Sequence, residues 1–269
     1  MPQVSPIQIS VINASTVLSD ADILPVVDAL QHQVTDDFRP AWGVDAELTF
    51  IPRGEEPPAG TWWLSILDDS DQAGALGYHD LTPDGLPMGK VFAGTDLKYG
   101  YTWSVTASHE LLEMLADPNI NLTVLVQTSN TAGTLYAYEI CDACEADENG
   151  YNIGSVAVSD FVFPSWFESF RAEGSTQFDQ TNKITAPLAL LPGGYIGAFD
   201  VNSGSGWHQV TPEKRPASMA LRGNVGSRRE RRGVPRYQWL QSLSHRKITT
   251  NAEKYLMRVR DIQKHRAAA

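Results

Sequence analysis

Between residues 7 and 38 the apolar rhythm of the chain changes period, and this feature limits the choice of fold more than any other. Ile7, Ile9 and Val11 alternate with Gln8 and Ser10, as one face of a half-buried strand does. Polar Ser19, Asp20 and Asp22 then lead into Ile23, Val26, Val27, Leu30, Val34 and Phe38. That three-and-four spacing predicts an amphipathic helix with Pro25 in its first turn. Residues 46–52 and 62–68 are further strand candidates, separated by the breaker-rich 53–60, and shorter ones lie at 74–79 and 90–94. Trp103 to Asp117 reads as a helix stopped by Pro118. Strand, helix, four strands and a helix predict an α+β fold, a mixed sheet with helices packed on it. Residues 122–128, 135–141, 153–163 and 195–201 read as later strands, and 164–170 as a helical turn or two.

Composition matters where it divides the chain. With 269 residues, 42% hydrophobic and 20% charged, the chain can bury one sizeable core and carry an appendage, which excludes a fibrous or disordered protein. The net charge of −11 hides a split: residues 221–269 hold 13 Lys/Arg against 3 Asp/Glu, and residues 1–220 hold 8 against 29. The expected organisation is therefore a folded domain over 1–213 and a basic tail over 214–269. The tail is densest at Arg228-Arg229-Glu230-Arg231-Arg232 and helix-like near 251–266. Tyr237, Trp239 and Tyr255 interleave its basic residues, a composition suited to nucleic acid or another polyanion, or to docking on the acidic domain. No apolar stretch is long enough for a membrane span, and the first residues lack the pattern of a secretory signal. The expectation is a soluble protein, cytoplasmic or associated with a virion.

The chemistry concentrates in Ser108-His109-Glu110-Leu111-Leu112-Glu113-Met114-Leu115-Ala116-Asp117-Pro118. On a helix, His109 and Glu113 stand one turn apart on one face, so an imidazole nitrogen and a carboxylate oxygen can converge on one ion. Glu110 is rotated by about 100° from His109 and sits beside that ion, where a carboxylate can take a proton from metal-bound water. His-Glu-x-x-His metallopeptidases divide the labour in this way; here Glu113 replaces the second histidine. Two carboxylates and one imidazole make a harder ligand set, which keeps zinc as the leading ion and brings manganese, iron and calcium closer.

A second block, Tyr138-Glu139-Ile140-Cys141-Asp142-Ala143-Cys144-Glu145, supplies candidates for the remaining ligands. On an alternating strand Glu139 and Cys141 would share a face, with Asp142 opening the next loop. Residues 139–148 hold five carboxylates and no basic residue. Either the loop is simply solvated, or a bound cation relieves the repulsion.

Ser-His-Glu-x-x-Glu-x-x-x-Asp-Pro followed by Glu-Ile-x-Asp-x-Cys resembles the zincin-like metallopeptidases of bacteria and their phages, and distantly the plant exordium and phosphate-induced proteins. Ser108, His109, Glu110, Glu113, Asp117, Pro118, Glu139, Ile140, Asp142 and Cys144 carry the resemblance. It spans residues 7–170 in element order, and only these two blocks in letters. It implies a zincin-like fold with an exposed edge strand, 74–79 or 90–94, that takes an extended peptide. It also implies His109, Glu113 and Glu139 as metal ligands, Glu110 as general base, and Asp142 and Asp117 as further ligands or orienting groups.

Other candidates weigh less. Cys141-x-x-Cys144 has no second cysteine pair to complete a four-thiolate zinc site and reads as a local disulfide or two plain thiols. Glu145-x-Asp147-x-Asn149-Gly150 imitates a calcium loop whose twelfth position, Val156, has no carboxylate. His79, on the proposed edge strand, is a spare ligand or a group that polarises substrate; His208 is a weaker one, and His32 reads as structural or exposed. Trp62, Trp63, Trp166 and Phe167 read as core. The leading expectation is a metal-dependent peptidase that uses metal-activated water. The alternative is a catalytically inactive zincin-like binding or structural protein, phage-associated, with a polyanion-binding tail.

Overall fold

The computed structural model describes residues 5–212 apart from 73, 83, 204 and 205. The fold is α+β. In the main sheet, β1 (Ile7–Asn13), β2 (Ala46–Ile51), β3 (Trp62–Leu67), β4 (Gly77–Leu81) and β5 (Pro87–Phe92) lie in the order β2-β1-β3-β5-β4. Neighbouring strands run parallel except β4, which pairs antiparallel with β5 and closes one edge. The interior position of β1 explains why Ile9, Ser10 and Val11 are all buried: both faces of the strand are covered, so its polar residue is buried with the apolar ones.

The first helix, α1 (Asp20–His32), buries Ile23, Val26, Val27, Ala29 and Leu30. Pro25 lies inside it rather than in its first turn. The helix continues as a wider π turn, Gln33–Phe38, and ends in α2 (Arg39–Trp42). The π turn brings Gln33 into the interior, where its amide donates to the Ser159 carbonyl at 2.9 Å and accepts from the Ser108 hydroxyl at 2.7 Å. A short helix the sequence did not suggest, α3 (Ala93–Tyr99), follows β5 directly and precedes α4 (Trp103–Ala116).

Beyond α4, β6 (Thr123–Gln127), β7 (Gly133–Ala137), β10 (Ile196–Asp200) and β11 (His208–Val210) form an antiparallel sheet in the order β11-β10-β7-β6. Between β7 and β10 lies the small hairpin β8 (Tyr151–Ile153) and β9 (Val156–Val158). Three strand expectations shift here. The run 153–163 is broken by a two-residue turn on Gly154, whose φ of 60° favours glycine. The run 135–141 stops at Ala137, because the chain then leaves the sheet to pair the Ile140 carbonyl with the Val162 amide at 2.8 Å. Of the two edge-strand candidates, β4 is the edge and β5 is interior.

Helix α4 is buried all round, from Ser104 to Leu115, between β3, β4 and β5 and the hairpin strand β9. Leu111, Leu112, Met114 and Leu115 join the core. Its hydroxyls are accounted for: Ser104 bonds the Ala157 carbonyl at 2.7 Å, Thr106 bonds Asp96 at 3.2 Å, and Ser108 bonds Gln33. That leaves His109, Glu110 and Glu113 as ionisable groups on a buried helix, where they need partners. The basic tail, the helix expected near 251–266 and the domain boundary expected at 213/214 lie outside the described residues. Among those described, no helix is long and apolar enough to cross a membrane.

Candidate metal centre

The i, i+4 spacing on α4 sets His109 and Glu113 together: His109 Nε2 lies 3.2 Å from Glu113 Oε2. The edge strand supplies the next group. His79 is opposite Gly89 in the β4–β5 ladder, and its Nδ1 lies 3.6 Å from Glu113 Oε2 and 3.6 Å from Glu110 Oε2. Gly77 lets α4 come this close to the strands: a Cβ there would sit 2.7 Å from Glu110 Oε1 and 2.7 Å from Thr106 Cγ2. A Cβ on Gly89 would instead meet Leu64 Cδ1 of β3 at 2.8 Å.

From the segment after β7 come Glu139, whose Oε2 lies 3.6 Å from His79 Nε2, and Asp142, whose Oδ1 lies 3.4 Å from His109 Nε2. Cys141, between them, donates its backbone N–H to Glu113 Oε1 at 3.1 Å. The Asp142 segment is held from the far side: the Tyr195 amide donates to the Asp142 carbonyl at 2.9 Å and the Leu191 amide to the Ala143 carbonyl at 3.0 Å. Tyr195 also favours the charged form of the Asp142 carboxylate.

Four carboxylates and two imidazoles are thus gathered from three parts of the chain, and all six side chains are buried. Their electrostatics reflect mutual compensation. Burial alone would lower the His79 pKa, but Glu110, Glu139 and Glu113 together raise it to about 9. His109 is likewise raised well above its ordinary value against the pull of burial, by Glu113, Asp142 and Glu110. Burial would raise Glu113, but His109, His79 and the Cys141 amide bring it below the usual carboxylate range. Burial and the charge of Glu113 push Asp142 up to about 6, offset in part by His109 and Tyr195.

The donors suit a divalent cation. His79, Glu113 and Glu139 offer one nitrogen and two oxygens that all lie within 4.8 Å of one another, and His109, Glu113 and Cys141 offer a nitrogen, an oxygen and a sulfur within the same limit. His79 Nε2 is buried and makes no hydrogen bond. A cation here would relieve the repulsion among the four buried carboxylates.

His109, Glu110, Glu113, Glu139, Asp142 and His79 come together as one cluster. Asp117 is held instead at the helix end, where its two oxygens accept the Asn121 and Leu122 amides at 2.9 Å each. His208 is exposed on β11, and His32 pairs with Asp36 in solvent at 2.9 Å. The acidic run 139–148 divides: Glu139 and Asp142 enter the cluster, and Asp147 accepts the Thr102 amide at the start of α4 at 2.8 Å. Cys141 and Cys144 are both free thiols and both buried. Sequence reasoning set Cys141 on the face of Glu139 but weighed its thiol only with Cys144, and it did not single out Tyr195. Nothing local marks Tyr195, which reaches the cluster through a contact between distant segments. No protein family model matches the chain, and no curated protein or solved structure matches it.

Proposed function

We propose that the protein is a metal-dependent hydrolase of the zincin-like kind that cleaves a peptide bond in an extended peptide or protein substrate. The observation that carries this reading is the convergence of Glu110, Glu113 and His109 of α4 on His79 of the antiparallel edge strand β4. The sheet order, with three parallel pairings and an antiparallel last strand beside the motif helix, supports the zincin-like comparison.

Glu113 would hold an ion either with His79 and Glu139 or with His109 and Cys141, and zinc accepts all of these donors. A bound divalent ion supplies an acidified water and polarises a carbonyl oxygen. The chain supplies the rest. The edge of β4 can pair with an extended peptide through backbone hydrogen bonds, which aligns the peptide along the strand that bears His79. Glu110 accepts the proton of the attacking water and returns it to the leaving amine. Asp142, set by Tyr195, orients His109.

A second reading is favoured by burial: none of the six cluster side chains is more than 11% exposed, with His109 the most open. On that reading a zincin-like protein keeps the ion for stability and performs no turnover, and it meets its partners, a polyanion among them, through residues 214–269. Glu110→Gln separates the two. The variant retains its metal and loses peptide cleavage if the enzyme reading holds. An unaltered rate overturns Glu110 as base, and a metal-loaded wild-type chain that cleaves no peptide in a mixed peptide library favours the structural role.

A further inference from the structure

The cluster contains two sets of ligands rather than one, and they meet at Glu113. His79, Glu113 and Glu139 form the first; His109, Glu113 and Cys141 form the second. Zinc-type ions take ligand bonds of about 2.0–2.3 Å, so two donors on one ion stand no more than roughly 4.5 Å apart. Each set comes within a few tenths of an ångström of that limit, and neither set contains both histidines. One ion placed against His109 is therefore not the ion placed against His79, although both imidazoles approach the same carboxylate oxygen, Glu113 Oε2, at 3.2 and 3.6 Å.

We propose that this chain binds two divalent cations, bridged by the carboxylate of Glu113. The proposal rests on the reading of the cluster as a metal centre and adds its stoichiometry and the chemistry of each position. The position at His109 and Cys141 has a thiol donor and suits a softer ion, zinc above all. The position at His79 and Glu139 has nitrogen and oxygen donors, with Glu110 beside it, and suits zinc, manganese or iron(II). Two further observations point into the pair of positions. His79 Nε2 is buried without a hydrogen bond, and so is Asp142 Oδ2, beside His109. The charge favours two ions over one: with both imidazoles neutral, Glu110, Glu113, Glu139 and Asp142 carry four negative charges and the Cys141 thiolate a fifth, against which one divalent ion leaves −3 and two leave −1. On binding, Cys141 gives up its thiol proton to solvent and becomes a thiolate ligand.

The test uses the full-length chain, stripped with chelator and reloaded with cobalt(II) or zinc(II). Native mass spectrometry counts the ions, and absorption spectroscopy reads a thiolate-to-cobalt charge-transfer band. The expected result is two ions per chain with the band present. Cys141→Ala should remove the band and one ion and leave the other; His79→Ala should remove one ion and keep the band. One ion per chain in the wild type, or two without the thiolate band, overturns the proposal while leaving a metal centre in place. No ion at all overturns the metal reading as well. Because the wild-type count decides the matter alone, a variant that fails to fold does not obscure it.

Discussion

Among the described residues, two clusters of acidic side chains are buried and treated differently, one around Asp160 and Asp179 and one around Glu113. Around Asp160 and Asp179 the backbone does the work. Asp160 Oδ1 accepts the Phe161 and Thr181 amides at 2.8 and 3.1 Å, and its Oδ2 accepts the Thr181 hydroxyl at 2.8 Å. Asp179 accepts the Ile184 and Lys183 amides, each at 3.0 Å. Amides satisfy these carboxylates and fix a loop in return. Around Glu110, Glu113, Glu139 and Asp142 the compensation comes mainly from the imidazoles of His79 and His109, brought from a strand and a helix. Imidazolium protons can be exchanged for a metal ion and backbone amides cannot, so the first group is a staple and the second is suited to a ligand.

The largest stability effect should come from breaking the staple. Asp179→Ala leaves the buried Ile184 amide and the part-buried Lys183 amide without their acceptor; an unsatisfied buried amide costs about 1–3 kcal/mol, so a loss of roughly 3 kcal/mol is expected by denaturant unfolding. A loss below about 1 kcal/mol would place the loop's stability elsewhere. Next is Gly77→Ala, whose new Cβ meets Glu110 and Thr106 at 2.7 Å. Overpacking of this kind costs about 1–3 kcal/mol, and displacement of Glu110 should lower metal-dependent activity further. An unchanged unfolding midpoint and rate would show that α4 yields freely.

The cluster should respond in the opposite sense. Glu139→Gln in metal-free protein removes one of four mutually repelling carboxylates, so stability should stay within about 1 kcal/mol of wild type. Metal affinity should fall at least 10-fold, measured by competition with a chromophoric chelator, since even groups that merely orient ligands cost that much. A large destabilisation with unchanged affinity would make Glu139 a second staple.

The smallest effect is a slope with pH. Burial, with the hydrogen bond and charge of Asp179, raises the Asp160 carboxyl from 3.8 to about 7. The folded state therefore binds this proton more tightly than the unfolded state. Its contribution to stability is complete below about pH 4 and fades as pH rises through about 7. Asp160→Asn, with an amide in place of the shared proton, should gain on wild type as pH rises from 5 to 8, as read by unfolding midpoints. Parallel pH profiles would contradict the shared proton.

The sequence made the two groups unequally legible. His109, Glu110 and Glu113 could be found because a helix turn lies within one stretch of chain, and β1, α1, β2, β3 and α4 because their apolar periods are local. Glu139 and Asp142 were found as residues, though through a strand that ends at Ala137. His79 had no spacing signal, since its place depends on the register of β4 on β5, which brings it opposite Gly89. Tyr195 is set by its amide's bond to the Asp142 carbonyl, 53 residues away, and Cys141 by its amide's bond to Glu113, 28 residues away. Asp160 and Asp179 drew no attention because a staple has no motif: its partners are backbone amides, which every residue carries. The helix α3 was hidden by its length of seven residues, too short for a periodic pattern.

The claim that the second cluster is a metal centre built on Glu113 is tested most directly by thermal unfolding of the stripped chain with and without zinc(II). At a concentration about 100 times the dissociation constant, binding to the folded state contributes about 2.7 kcal/mol, so the midpoint should rise by several degrees. Glu113→Ala should abolish the rise, while Asp179→Ala, weakened though it is, should keep it. A wild-type midpoint that zinc(II), manganese(II) and iron(II) all leave unmoved would contradict the account.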